Sequence, residues 1–344
     1  MGQGEKGVRV IKRAIAKQIK SAFYTTGLHA LTKRICKSSH PTILRYHSVG
    51  NVNPLICQTI TISLAAFEEQ VRYFSKNFTT ISMNALIDCL RNKRPFPQNA
   101  LVLTFDDGYA DNYDAARILH KYGLTGLFYI TAGCIESEEN FWIAEVRHLL
   151  GHTQHPQVCL SLPHEIYTAS LNTQAERVAA MDRLTYLLKT VDVSCREELR
   201  VRLRTQLDDV ASFPHDLMLT WGHLKDMVAM GMEIGAHTMT HANLPSAQPD
   251  EAWFEIAESR TTLEKRLGIK VSHFAYPNGG SVQHYNDRVK AQVKQAGFLS
   301  ATTSRSGIVS HKSDHFEIKR VRVTEKIFEI LWEIEEEQRG SFNV

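Results

Sequence analysis

The sequence predicts an α/β fold on parallel strands, either an open sheet or a barrel. From Pro41 onward, short apolar runs rich in β-branched and aromatic residues alternate with helix-like stretches, the rhythm of a parallel sheet. Two of those runs break off into chemistry-bearing side chains, Asp106-Asp107 after Leu101–Phe105 and His237…His241 after Met232–Ile234. At 344 residues the chain exceeds a single barrel of about 250 residues, which leaves room for an addition.

Taken in order, Thr42 to His47 reads as a first strand. A helix follows from Leu64 to Phe74, a short strand at Thr79–Ile81 and a helix near Met83 to Leu90. Pro95-Phe96-Pro97 punctuates the approach to the acidic strand. Asp114 to Tyr122 reads as a helix stopped at Gly123, and Thr125 to Thr131 as the next strand. Residues 136–214 break the alternation: they offer no strand series, and Thr173 to Leu207 is helix-like and charged, so the segment is expected to be a largely helical insertion. Alternation then resumes with a helix over Trp221 to Met230, the histidine strand, a helix over Asp250 to Leu267, and a strand at Ser272–Tyr276. A helix over Tyr285 to Ala296, strands near Ser300–Thr303 and Glu317–Val323, and an acidic helix over Glu325 to Gln338 complete the chain. The organisation is thus an N-terminal segment, 1–40, and a barrel-like unit, 41–335.

Bulk properties exclude little but point one way. A formal charge of +3 is too mild to argue for nucleic acid, and no recognition helix or aromatic-basic interleaving is present. Six scattered cysteines without a C-x-x-C pair read as buried thiols of a reducing compartment. No stretch approaches 18 uninterrupted apolar residues, and the start lacks the apolar core of a secretory signal, so cytoplasmic residence is expected. Residues 5–24 carry six Lys and Arg against one Glu, with Val8, Ile11, Ile15, Ile19 and Phe23 at spacings of three and four. Such a basic amphipathic helix either lies in the headgroup layer of an anionic membrane or packs its stripe on the protein body.

The chemistry resides in the strand ends. Two adjacent carboxylates on a buried strand repel one another unless a cation or proton is shared. One carboxylate and two imidazoles make a three-ligand site for a divalent ion, with the second carboxylate left as a base for water. Four-residue spacing would put the two imidazoles on one face of a helical turn. Spacing alone is weak evidence: His148/His152 and His311/His315 share it, and sixteen histidines give roughly one such pair by chance. Those two pairs read as surface or structural. A solvated turn or a receiver-domain phosphoacceptor would also explain Asp106-Asp107, but a receiver of about 120 residues fits this chain poorly.

Thr104-Phe105-Asp106-Asp107-Gly108 and His237-Thr238-Met239-Thr240-His241 resemble the first two motifs of the NodB-type polysaccharide deacetylases. Ile43 to Val49, Phe67-Glu68-Glu69-Gln70, Leu219-Thr220-Trp221, Phe274 to Gly279 and Ile318 to Val321 resemble their surroundings in that family. The resemblance implies a distorted (β/α)7 barrel that removes acetyl groups from N-acetylated sugars. It makes Asp107, His237 and His241 ligands of a divalent metal ion, zinc foremost, and Asp106 the general base. Tyr109, Tyr276, Pro277 and Asn278 become substrate-binding positions, with the backbone N–H at Asn278 facing the developing oxyanion. Two departures stand out. The arginine that opens the third motif and holds the base is Ala275 here, a charge Arg320 could supply from a late strand. The fifth-motif histidine that protonates the leaving amine is missing, which leaves His47, His273 or a substrate group. The expected activity is deacetylation of an N-acetylhexosamine unit in a polysaccharide, glycolipid or lipid-linked sugar at the inner membrane face. A deformylase on the same barrel and a carbohydrate-binding member without turnover are the competing readings.

Overall fold

The computed structural model describes residues 38–137, 140–207, 213–214 and 216–340. The basic helix expected over residues 5–24 lies outside them. Seven strands form one parallel, curled path: β1 (Thr42–Tyr46), β5 (Ala100–Phe105), β6 (Leu127–Ile130), β9 (Glu233–Ala236), β10 (His273–Ala275), β11 (Ser300–Thr302) and β12 (Val321–Arg322). Their spatial order is β11-β10-β9-β6-β5-β1-β12, and β4 (Thr79–Thr80) pairs with the start of β5. The path returns on itself through residues 318–322. Ile318 bridges Thr302 in parallel, and Val321 pairs with Leu44 of β1. This is a (β/α)7-type barrel in the form of a strongly curled sheet with helices around it. A side pair, β2 (Ser48–Val49) and β3 (Thr61–Ile62), lies outside the path.

Parallel strands covered on both faces should be apolar throughout, and β5 is buried at all six positions. Registered neighbours stack across it: Tyr46 on Phe105 with centroids 5.0 Å apart, and Phe105 on Phe128 at 4.3 Å. The covering helices begin where capping side chains stop the strand-exit loops. Ser63 caps α1 (Leu64–Asn77) and Ser82 caps α2 (Met83–Arg91), each accepting from a backbone N–H three residues on. α3 (Asn112–Lys121) follows the acidic strand.

Between β6 and the helix at Trp221 the chain leaves the barrel. It builds α4 (Trp142–His152), a hairpin of β7 (Gln157–Ser161) and β8 (Ile166–Ser170), α5 (Gln174–Leu188) and α6 (Val193–Gln206). The hairpin is a departure from the expected helical segment. Its alternation is visible only once burial is known: Val158 and Leu160 point inward while Gln157, Cys159 and Ser161 face solvent. The insertion has its own core, in which Trp142, Leu150, Leu160, Leu184 and Leu203 pack together. Beyond it, α7 (Trp221–Ala229) carries a Thr220 cap, and α8 (Pro249–Leu267) starts with Pro and ends at left-handed Gly268. α9 (Asp287–Gln295) and α10 (Ile327–Gly340) complete the outer layer. No helix among the described residues is long and apolar enough to cross a membrane.

Candidate active site

Parallel strands deliver their loops to one edge, and the distant motifs meet there. Asp106 and Asp107 follow β5, His237 follows β9, and Asn278 follows β10. The backbone leaves the strands in sharp turns, with φ of 76° at Asp107, 57° at His241 and 71° at Asn278. Non-glycine residues held in this left-handed region are costly and cluster at functional sites.

The histidine loop is a turn rather than the helix its spacing suggests. Glu255 of α8 clamps it: one carboxylate oxygen accepts from the backbone N–H of Met239 and Thr240, both at 2.8 Å. Its other oxygen accepts from the Thr240 hydroxyl at 2.5 Å. Arg196 of the insertion donates to the same hydroxyl at 2.7 Å. The loop also lies against Gly133, where a Cβ would meet the Met239 carbonyl at 2.6 Å.

His237 Nδ1 faces the Ala275 carbonyl at 2.8 Å. A carbonyl only accepts, so Nδ1 carries the hydrogen and Nε2 presents a lone pair. That Nε2 lies 3.3 Å from Asp107 Oδ1, and His241 Nε2 lies 3.4 Å from the same oxygen. Oδ1 is sealed from solvent and receives no hydrogen bond. Ligand atoms of the three residues all lie within 4.8 Å of one another. Acceptors converging on one buried point are stabilised by a cation, and an O,N,N donor set suits zinc or a similar divalent ion. Burial works to raise the Asp107 carboxyl, but the two imidazoles, when protonated and donating to it, hold it well below the usual carboxylate range. His241 is pushed down to about 4 by burial, so near pH 7 it is neutral, the form in which an imidazole can ligate a metal. The other two i,i+4 pairs take no part: His152 Nδ1 lies 2.9 Å from the His148 carbonyl, and His311 stacks on Phe96.

Asp106 is buried beside this cluster and forked by Arg320, whose two Nη atoms donate to its two oxygens at 2.7 and 2.8 Å. Arg320 is itself fixed by the Thr303 carbonyl at 3.0 Å and by Thr104 Oγ1 at 3.2 Å. Burial works to raise Asp106, and the arginine overrides it, holding the carboxyl at about 2. The charge missing at Ala275 is therefore present from the segment that leads into β12. Of the two histidines named for proton donation, His47 lies 3.9 Å from Asp106 Oδ2 and faces the cavity. Burial pushes it down to about 4. His273 is at the opposite, amino end of β10, bonded to Ser300 and Asn84, and is out of reach.

The cluster floors a cavity of about 450 Å³. Tyr109, Tyr276 and Asn278 line it. Both polar side-chain atoms of Asn278 are buried without partners, whereas the Tyr276 hydroxyl is committed to the Phe316 carbonyl at 3.0 Å. Pro277 is buried behind them and is no part of the wall. The opposite wall comes from residues the sequence reading missed: Arg147 of α4, and Asp182, Tyr186 and Lys189 in or just after α5. A segment read only as an interruption carried no signal for this. Arg45, also in the wall, did leave one, as a charge inside an otherwise apolar strand.

A curled parallel sheet that sets an Asp-His-His cluster and an arginine-held aspartate at one cavity is the scaffold of a hydrolase. The family model for polysaccharide deacetylases matches residues 93–301, more than half of the chain. The chain belongs to that family, hydrolases acting on amide bonds. It is similar to YxkH of Bacillus subtilis strain 168, itself assigned to the polysaccharide deacetylases. The two are 21% identical over 285 residues, which is 82% of this chain and 71% of that protein. Among solved structures it resembles the Streptococcus pyogenes deacetylase PplD in complex with acetate. That match has a TM-score of 0.56 and 19% identity, over 85% of this chain and 96% of the other. IcaB from Ammonifex degensii superposes with a TM-score of 0.56 and 18% identity, over 86% of this chain and 98% of that one. At these identities the structural likeness establishes the fold.

Proposed function

We propose that the protein is a metal-dependent deacetylase of N-acetylhexosamine units in a polysaccharide, glycolipid or lipid-linked sugar. The observation that carries this reading is the convergence of Asp107, His237 and His241 on one buried point, beside an Asp106 that retains unused lone pairs. Asp107, His237 and His241 hold the ion, with zinc favoured by the donor set; bound there, it acidifies water and polarises the acyl carbonyl.

Asp106 accepts the proton that attacking water gives up as its oxygen bonds to the acyl carbon. Arg320 occupies one lone pair on each carboxylate oxygen and leaves the others free for this transfer. The backbone N–H of Asn278 and its side-chain Nδ2, which has no partner, are the donors available to the oxygen that gains charge. When the C–N bond breaks, the leaving amine takes a proton, and His47 beside Asp106 is the group placed to relay it. The products are acetate and a free amino sugar.

Acetate release from N-acetylglucosamine oligomers by the zinc-supplemented protein, against an Asp106→Asn control, tests the reading. Full acetate release by the Asp106→Asn protein removes Asp106 as base. Bound zinc with no release from any acylated sugar replaces the enzyme by a carbohydrate-binding protein. Release from N-formyl but not N-acetyl sugars would make it a deformylase. We also propose that residues 5–24 hold the protein on an anionic membrane surface, on the support of their basic amphipathic pattern.

A further inference from the structure

We infer that the cavity contains an oxyanion subsite formed by Arg45 and Lys189, so that the acylated amino sugar it takes carries a phosphate ester or a carboxylate near the amide. The inference rests on the deacetylase reading and adds the charge of the substrate to it.

The argument starts from which charges in the cavity wall are already satisfied. Arg320 and Asp106 form a closed, doubly bonded pair. Arg147 is engaged by Asp182 at 2.7 Å and by the Pro54 carbonyl at 3.1 Å, and Arg322 donates to the Thr59 carbonyl. Arg45 has no such partner among the described residues. It sits in β1 between buried Leu44 and buried Tyr46, its guanidinium lines the cavity, and its Nε is sealed from water without an acceptor. A guanidinium donates through five N–H groups, and leaving one of them dry and unbonded is costly. Burial and the neighbouring Arg320 push Arg45 down only to about 10, so it stays charged at neutral pH.

Lys189 reaches the same cavity from the insertion, just past the end of α5. Its ammonium also has no hydrogen bond or ion pair among the described residues, and burial lowers it. The aspartates lining the cavity are already engaged: Asp106 by Arg320, Asp182 by Arg147, and Asp107 by the metal site of the proposed function. With a divalent cation counted there, the wall holds a surplus of positive charge that only a ligand can balance. A planar guanidinium and an ammonium facing one space form the donor pair that recognises phosphate or carboxylate oxygens. A neutral oligosaccharide offers hydroxyl oxygens that accept from both cations but balances the charge of neither.

The test uses the zinc-loaded full chain with two readouts. Calorimetric binding compares glucosamine, glucosamine-1-phosphate and a glucosaminyl-glucuronate disaccharide, which contain no acyl amide and do not turn over. Acetate release compares the corresponding N-acetylated sugars. At least one anionic ligand is expected to bind about tenfold more tightly than glucosamine, and that ratio to fall below about threefold in Arg45→Gln and Lys189→Gln. Arg45→Lys, which keeps the charge, should retain part of it. Preference for the phosphate arm marks a phosphate-linked sugar, and preference for the uronate arm an acidic polymer. Equal binding of all three ligands overturns the subsite. A preference untouched by both Gln substitutions also overturns it, since the anion would then be held by zinc alone. If Arg45→Gln does not fold, Lys189→Gln at the cavity edge decides the matter. Absence of acetate release from every N-acetyl sugar would instead strike the deacetylase reading, and the binding comparison would still judge the subsite.

Discussion

Arg320 donates to both oxygens of Asp106 across 214 residues of chain, at 2.7 and 2.8 Å. The pairing crosses from the segment that completes the barrel to the acid that follows the buried strand β5. Two parallel N–H···O bonds fix the plane of the carboxylate, which a point charge would not do.

Arg320→Lys keeps the charge and removes the fork, so kcat should fall by about 10- to 100-fold with little change in fold. The sign of the pH effect follows from the depressed carboxyl. Asp106 is held at about 2 in the folded protein against 3.8 ordinarily. Its contribution to stability, on the order of 2 kcal/mol, is therefore present above about pH 4 and lost as pH falls through about 2. In the lysine variant the carboxyl rises, and the acid limb of kcat/KM moves to higher pH. An unmoved acid limb would mean that Arg320 does not set the charge of Asp106.

Asp107 offers a second, more selective test. Without a cation its Oδ1 faces the lone pair of His237 Nε2 at 3.3 Å and gains no hydrogen bond. Zinc should raise the melting temperature of the wild-type protein, corresponding to about 2.7 kcal/mol at a hundredfold excess over Kd. Asp107→Asn should lose that response yet be at least as stable as wild type when both are stripped with chelator. Its amide donates where the carboxylate could only repel, and asparagine tolerates the left-handed backbone, φ 76°. A stripped Asp107→Asn protein that melts well below stripped wild type contradicts the cation-site account.

The convergence of Asp107, His237 and His241 was legible because strand-end residues keep their identity in the sequence: an apolar run that stops at Asp-Asp or at Gly-Ala-His states where its side chains emerge. The alternation of strands and helices was legible for the same reason, since β5 is buried at every position and reads as one hydrophobic block. What stayed hidden depends on contacts between segments far apart. Glu255 holds the histidine loop from 15 and 16 residues downstream, and nothing in its helix distinguishes it from a solvated acid. The four-residue histidine spacing suggested a helix, and the clamped turn that replaces it depends on that glutamate. The β7–β8 hairpin was masked because Val158 and Leu160 are too few to signal a strand by themselves. Lys189 and Tyr186 were hidden because sequence order says nothing about which way an insertion folds over a barrel.

Residues 5–24 should bind anionic bilayers. Folded on such a surface as an amphipathic helix, the segment would set its six cations against lipid phosphates and its Val, Ile and Phe stripe into the acyl boundary. Co-sedimentation with phosphatidylglycerol vesicles should pellet the full chain and release it at high salt. The chain lacking residues 1–40 should stay in the supernatant. Equal pelleting of both forms rejects the membrane role.

Glu145 ties the insertion together and, through it, the far wall of the cavity. Buried on α4, it receives Arg200 Nε at 2.6 Å on one oxygen, and Arg204 Nε at 2.8 Å and Asn140 Nδ2 at 3.2 Å on the other. Both arginines lie on α6, so this carboxylate joins two helices that share the insertion's separate core. Burial works to raise Glu145, and the arginines override it and keep it ionised. Glu145→Ala takes from the buried Arg200 its buried carboxylate partner and leaves Glu197 at the rim, a loss of about 3–5 kcal/mol where a buried pair is broken. Because the barrel has its own core, the loss should appear as an early melting step confined to the insertion, with the barrel transition little changed. Arg147 and Lys189 would then be less firmly held against the cavity, so KM should rise more than kcat falls. A single unshifted melting transition together with unchanged KM would show that the network is dispensable to both the insertion and the site.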